Sequence, residues 1–254
     1  MNALTRRYML GCIASASALA GCASNSTTSA QFDQVTTDGT SLIIELETAE
    51  GIDELSIINP DGAAFSTVEA TAGQTRYSIE LGTAYTPGEY EINAIVDEEI
   101  AATTTMALRP DIEIIDVGVG ENYPDQVPDD LPFPDTQVIM SAQNIGTGPG
   151  AVTNLEITGN VPNPTTREDQ DDSGIFDIKN GYGEVTSLKI GANEEVRFFS
   201  STQPFARQSN SCEDGPLRIR LVTDVSEGVV SEVYSADYQN TSQSDCSVSI
   251  QEGE

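Results

Sequence analysis

The sequence predicts an all-β protein of two β-sandwich domains, and three observations carry that reading. Short stretches alternate apolar and polar residues with period two. Turn residues punctuate them roughly every ten residues, the spacing of sandwich strands. After the N-terminal region no segment sustains the 3.6-residue period of an amphipathic helix.

The elements follow in order. Leu42, Ile44 and Leu46 share one face. Asn59-Pro60-Asp61-Gly62 is a turn after Ile57-Ile58, because Pro presets one turn torsion and Gly accepts a positive one. Tyr77, Ile79 and Leu81 alternate with Arg76, Ser78 and Glu80. Beyond Pro87-Gly88, the residues Tyr90, Ile92, Ala94 and Val96 alternate with Glu89, Glu91 and Asn93. This first domain is assigned to 35–109. The second, 110–254, opens with a strand at Asp111–Val117. Pro124, Pro128, Pro132 and Pro134 then make a connecting loop that no central strand can contain. Val138–Ile145 breaks at an Asn-x-Gly turn before Ala151–Ile157. Later strands are expected at Val185–Ile190, Val196–Ser200, Pro216–Asp224 and Val229–Tyr238, with Leu217, Ile219 and Leu221 opposite Arg218 and Arg220.

Two short runs carry family resemblances. Tyr85-Thr86-Pro87-Gly88-Glu89-Tyr90-Glu91-Ile92 resembles the late hairpin of immunoglobulin-like domains on microbial surfaces. Val138 to Ile157, with its Asn144-Ile145-Gly146-Thr147-Gly148-Pro149 break, resembles the strand-turn-strand of CARDB-like adhesion sandwiches. Both imply two immunoglobulin-like β-sandwich domains. The early strands hold no Cys, so the inter-sheet disulfide of antibody domains is excluded.

The N-terminus reads as an address rather than as structure. Arg6-Arg7 precedes an apolar stretch too short to span a bilayer, which ends in Leu19-Ala20-Gly21-Cys22. This resembles a twin-arginine export signal joined to a lipoprotein lipobox. The resemblance implies cleavage after residue 21, lipidation of Cys22 and anchoring on the outer face of the cytoplasmic membrane. Residues 22–34, rich in Ser and Thr, form a flexible tether. With Cys12 in the signal and Cys22 lipidated, Cys212 and Cys246 remain, and in an oxidising compartment they are expected to pair. Asn25-Ser26-Thr27 and Asn240-Thr241-Ser242 are glycosylation sequons.

Charge narrows the partners. The chain has 11 basic against 41 acidic residues, a net of −30, and only two of the basic residues are Lys. Phosphate backbones require cations, so nucleic acid is excluded as a partner. Carboxylates without ammonium groups, spread along the whole chain, resemble the proteins of salt-in haloarchaea. There the short Debye length of molar salt removes the self-repulsion.

The chain has no His, which removes His-dependent triads, His-ligated zinc and blue copper. It shows no G-x-S-x-G and no phosphate loop, so a non-catalytic protein is expected and no cofactor is assigned. One segment has two readings. Asp169, Asp171, Ser173, Ile175 (through its carbonyl) and Asp177 match the first nine positions of an EF-hand-like Ca²⁺ loop. Position twelve, however, is Asn180 in place of the bidentate Glu, so the same residues also read as an acidic solvated loop. The functional expectation is a lipid-anchored binding, adhesion or envelope-structural protein whose partner is another surface protein or a glycan. The alternative is a lipoprotein that captures a solute for a membrane transporter.

Overall fold

Period-two patterning becomes a two-sheet sandwich when each strand can bury one face, and the computed structural model shows this twice. It describes residues 31–253 apart from 130, 170–171, 181–182, 207–212, 226–227 and 243–244, with backbone alone at 180, 240–242 and 245–246. In the first domain β1 (Phe32–Asp38), β2 (Ser41–Leu46) and β5 (Arg76–Glu80) form a sheet in the order β1-β2-β5. Its partner sheet contains β3 (Glu54–Ile58), β4 (Ala64–Glu69), β6 (Gly88–Val96) and β7 (Glu99–Leu108), in the order β4-β3-β6-β7. Leu42, Ile44 and Leu46 meet Leu55, Ile57, Tyr90 and Ile92 across the core. Each such aliphatic side chain contributes roughly 1.5–3 kcal/mol by leaving water.

Tyr90, near the start of β6, is fully buried, and its hydroxyl donates 3.0 Å to the carbonyl of Thr86, four residues upstream in the preceding turn. That bond is the tyrosine corner of immunoglobulin-like sandwiches. Phe65 meets the same ring edge-on at 5.5 Å. β6 and β7 join through Asp97 and Glu98, both left-handed, the geometry that matches a hairpin's own twist.

The second domain has five strands in each sheet. One contains β8 (Ile112–Val119), β9 (Val138–Asn144), β11 (Ile175–Asp177), β12 (Glu184–Val185) and β14 (Glu195–Ser200), in the order β12-β11-β14-β9-β8. The other contains β10 (Gly150–Gly159), β13 (Leu188–Ile190), β15 (Gly215–Thr223), β16 (Val229–Ser242) and β17 (Asp245–Glu252), in the order β13-β10-β15-β16-β17. Leu217, Ile219 and Leu221 are buried as their alternation predicts.

Four expectations are corrected in detail. β1 begins at Phe32, inside the segment read as tether, because Phe32 to Asp38 pair along β2. Val185–Ile190 is two strands in opposite sheets, since the chain leaves β12 and crosses the sandwich before β13. The run from Val138 to Ile157 also changes sheets at its turn, making a corner rather than a hairpin. The chain ends in an additional strand, β17, whose Ser and polar residues mask its periodicity.

The two domains share a built joint. Asn144, fully buried, accepts at Oδ1 from Asp111 N (2.9 Å) and Gly146 N (3.0 Å) and donates from Nδ2 to the Gly148 carbonyl (2.9 Å) and the Ile190 carbonyl (3.2 Å). All four hydrogen-bonding positions of one amide are thereby used, and they fold the 144–148 corner against the interdomain link. Thr147 N and Gly148 N donate to the Arg109 carbonyl at 2.9 and 3.1 Å, while Thr37 Oγ1 donates to the Thr147 carbonyl at 3.1 Å. Val225, from the β15–β16 turn of the second domain, is buried in the first domain's core.

Candidate functional site

The joint fixes which end of each sandwich faces outward. Phe32 pairs with Leu46 and Asp38 with Ser41, so β1 runs from the outer end of the first domain toward the joint, where Thr37 contacts Thr147. Gln31 and Phe32 therefore lie at the end remote from the second domain. At the opposite extreme, the chain leaves β8 after Val119, β10 after Gly159 and β14 after Ser200, each far from the joint. Three long loops gather there.

They are stitched into one cap. Asn163 N donates to the Pro204 carbonyl (2.9 Å) and Asn163 Nδ2 to the Gln203 carbonyl (3.1 Å). Phe205 N donates to the Thr136 carbonyl at 3.1 Å. Buried Gln137 donates from Nε2 to the Ser200 carbonyl (2.8 Å), and Ser200 Oγ accepts from Val138 N (3.0 Å). The Pro-rich loop is expected as a connector, and it also acts as a lid. Leu131, Tyr123 and Val127 pack on Ile139, Phe199 and Phe176, closing the sheet face that points away from the main core. Gly118 and Gly120 permit this approach. A Cβ on Gly118 would lie 2.1 Å from the Tyr123 ring, and one on Gly120 would lie 2.2 Å from the Pro134 carbonyl oxygen.

The cap also holds the adjoining hairpin edge. Glu121 Oε1 accepts from Val248 N at 2.7 Å, and Asn122 Nδ2 donates to the Val248 carbonyl at 2.5 Å. Phe205 contacts Tyr238 with ring centroids 6.5 Å apart.

Phe133 stands at the top of this cap. Its side chain is 67% exposed, and its backbone is left-handed (φ 55°, ψ 44°) between Pro132 and Pro134. A bulky residue in that region is an outlier, and such strain persists only where its surroundings over-determine it. Here Thr136 N and Oγ1 both donate to the Phe133 carbonyl, at 3.2 and 3.1 Å. This residue belongs to none of the sequence motifs. The signal was present as an aromatic between two prolines, and as Val138-Ile139-Met140 and Phe198-Phe199, which break alternation because both sheet faces there are covered.

The calcium-like segment borders the cap. Asp169 Oδ2 accepts from Thr166 N (3.2 Å) and Thr166 Oγ1 (2.7 Å). Ser173 is buried, its hydroxyl donating to the Val185 carbonyl and accepting from Ile175 N. Ile175 and Asp177 are strand residues of β11, paired with Ser200 and Phe198. Asp177 Oδ1 accepts from Lys179 N at 2.9 Å. Asp171 lies outside the described residues, and among the described residues no group of three carboxylates or thiols is arranged around a common point for a metal ion. The remaining sequence sites also fall outside. Arg6, Arg7, Cys22, Asn25 and Cys212 are not described, and for Asn240 and Cys246 only the backbone is, as opposed residues of β16 and β17.

A cleft of about 370 Å³ at the joint is lined by Pro87, Arg109, Pro110, Ile112, Val225 and Val230. No protein-family model matches the chain, nor does any curated protein. Among solved structures, the chain is similar to a two-domain fibronectin type-III segment of chicken tenascin, with 12% identity over 80% of this chain and 95% of that one and a TM-score of 0.28. It is also similar to the human OSCAR ligand-binding domain, with 12% identity over 80% and 96% and a TM-score of 0.24. A glycosyl hydrolase family 2 member from Bacteroides cellulosilyticus aligns at 10% identity over 77% of this chain but 24% of its own length, with a TM-score of 0.24. The chain's own paired antiparallel sheets and its Tyr90–Thr86 corner give it the fold of immunoglobulin-like β-sandwiches.

Proposed function

We propose that the protein is a lipid-anchored surface protein of a haloarchaeon, non-catalytic, that presents the loop cap of its second domain to another surface protein or glycan. The observation that supports this reading is directional. Gln31 and Phe32, which follow the segment with the twin-arginine and lipobox resemblance, lie at one extreme of the molecule, while the cap with Phe133 lies at the other. A chain tethered through Cys22 would hold the first domain near the membrane and raise the cap away from it. The joint then acts as a spacer, because hydrogen bonds of Asn144, Thr147 and Gly148 oppose hinge motion. Aromatic anchors on loops supported by a rigid scaffold are a common basis of recognition.

The experiment replaces Cys22→Ser and Phe133→Ser separately in the cell. Cys22→Ser should release the protein from membranes or leave its precursor uncleaved. Phe133→Ser should keep the protein membrane-bound while reducing cross-linking to its surface neighbour. Unchanged fractionation and processing of the first variant would refute the anchor, and unchanged cross-linking of the second would refute the cap as the contact.

A further inference from the structure

We infer that the outer edge of β7 pairs antiparallel with β7 of a second copy, joining two first domains into one continuous eight-stranded sheet. The inference begins with what the other sheet edges carry. Exposed edge strands are normally blunted by charges, by brevity, by bulges or by cover. β5 has Arg76 and Glu80 at its ends, and β1 carries Asp33 and Asp38. β8 contains Glu113 and Asp116 with a register shift between Ile114 and Asp116. β12 and β13 have two and three residues. The backbone of β17 is occupied at Val248 by Glu121 and Asn122. β4 is six residues long and closes with Glu69.

β7 carries these devices only at its start, where Glu99 and a bulge at Ala101 precede a regular run from Ala102 to Leu108. It is the longest edge strand at ten residues, and after Glu99 its run Ile100–Leu108 contains no charge, in a chain of which 20% is charged. Among the described residues it pairs with β6 alone, so its outer backbone groups have no ladder partner. At its start Ile100 is 63% exposed.

The run also selects a second copy as its occupant, because it reads alike in both directions. About Thr104 it places Thr103 opposite Thr105 and Ala102 opposite Met106, within the part of the strand that the bulge leaves regular. An antiparallel two-fold pair is self-complementary by construction, and here each residue meets its own chemical class. Cross-strand Thr–Thr pairs are among the stabilising ones. A net charge of −30 on each chain opposes association everywhere except where carboxylates are absent from the contact, and backbone hydrogen bonds persist in the salt that screens the rest.

The test uses the full chain in molar KCl. Sedimentation equilibrium should show a concentration-dependent dimer. Successive N–H groups of a strand point alternately to the two sides, so of Thr104→Pro and Thr105→Pro one removes an outer N–H and leaves the β6 ladder intact. That variant should keep the wild-type melting temperature and weaken dimerisation by about tenfold or more. An equimolar mixture of Thr103→Cys and Thr105→Cys chains should oxidise to a cross-link mapping between those two positions. This arm decides the matter even if both proline variants fail to fold. A monomer at every concentration, a dimer insensitive to a folded proline variant, or no 103–105 cross-link would overturn the inference. None of these readouts depends on membrane anchoring or on the loop cap, so the proposed function can fail or stand independently.

Discussion

Gly148 lies directly against the Tyr85 hydroxyl, so that a Cβ at position 148 would sit 2.2 Å from that oxygen and 3.0 Å from the Arg109 nitrogen. Tyr85 belongs to the first domain and Gly148 to the corner of the second, so this contact crosses the joint. Gly148→Ala should cost about 1–3 kcal/mol through overpacking. Part of that loss should return in the Tyr85→Phe/Gly148→Ala double variant, measured by urea denaturation.

Tyr85 is buried, and its hydroxyl finds no hydrogen-bond partner among the described residues. Leaving a polar group unsatisfied costs about 1–3 kcal/mol. Tyr85→Phe alone should therefore be neutral or raise the melting temperature, the opposite of the usual result for a core tyrosine.

Phe133→Gly should stabilise the protein while removing the most exposed aromatic side chain among the described residues. Glycine accepts the left-handed backbone that a bulky residue resists, and the relief is worth about 1 kcal/mol before glycine's own entropy cost. Calorimetry should show a higher melting temperature together with lost partner cross-linking. A lower melting temperature would contradict the strain argument.

High pH should unfold the protein through its tyrosines. Burial, then the neighbouring Tyr90 and Asp224, pushes the Tyr85 phenol well above its usual range. Burial, then the hydrogen bond and charge of Glu232, followed by Glu252 and Asp116, does the same for Tyr234. Both folded values exceed the unfolded value of 10.0, so the unfolded chain ionises first and stability falls as pH rises past about 10. Each tyrosine contributes a slope approaching about 1.4 kcal/mol per pH unit. Tyr85→Phe should remove one such slope from denaturation curves taken across that range.

Salt should govern stability at neutral pH. Removal of residues 1–21 takes away Arg6 and Arg7 but no acid, leaving nine basic against 41 acidic residues, a net of −32. The ion pairs Arg76–Glu45, Lys179–Glu194 and Arg220–Glu156 are exposed or partly so, and such pairs contribute roughly 0–1 kcal/mol each. The melting temperature should fall steeply as KCl drops from molar towards about 0.1 M, where the Debye length lengthens to about 10 Å. At constant ionic strength, added Ca²⁺ should stabilise the wild type more than Asp171→Asn if residues 169–177 bind it.

The sequence by itself determined the strands that bury one face. Leu42, Ile44 and Leu46, like Leu217, Ile219 and Leu221, announce themselves because alternation is a local property of a strand with water on one side. It also marked the division near Arg109-Pro110. Only the tertiary structure decided the rest. Ile139 and Phe199 break alternation because Tyr123, Val127 and Leu131 of the Pro-rich loop cover their outer face, and no local period reports such a contact. Val185 and Ile190 look like one strand until the sandwich divides them, since which sheet a residue joins depends on partners elsewhere in the chain. Val225 packs in the other domain's core, and Gly148 requires Tyr85 above it before its lack of a side chain has any meaning. The cap exists only because three loops, each ordinary alone, leave the same end of one sandwich and hydrogen-bond to one another there.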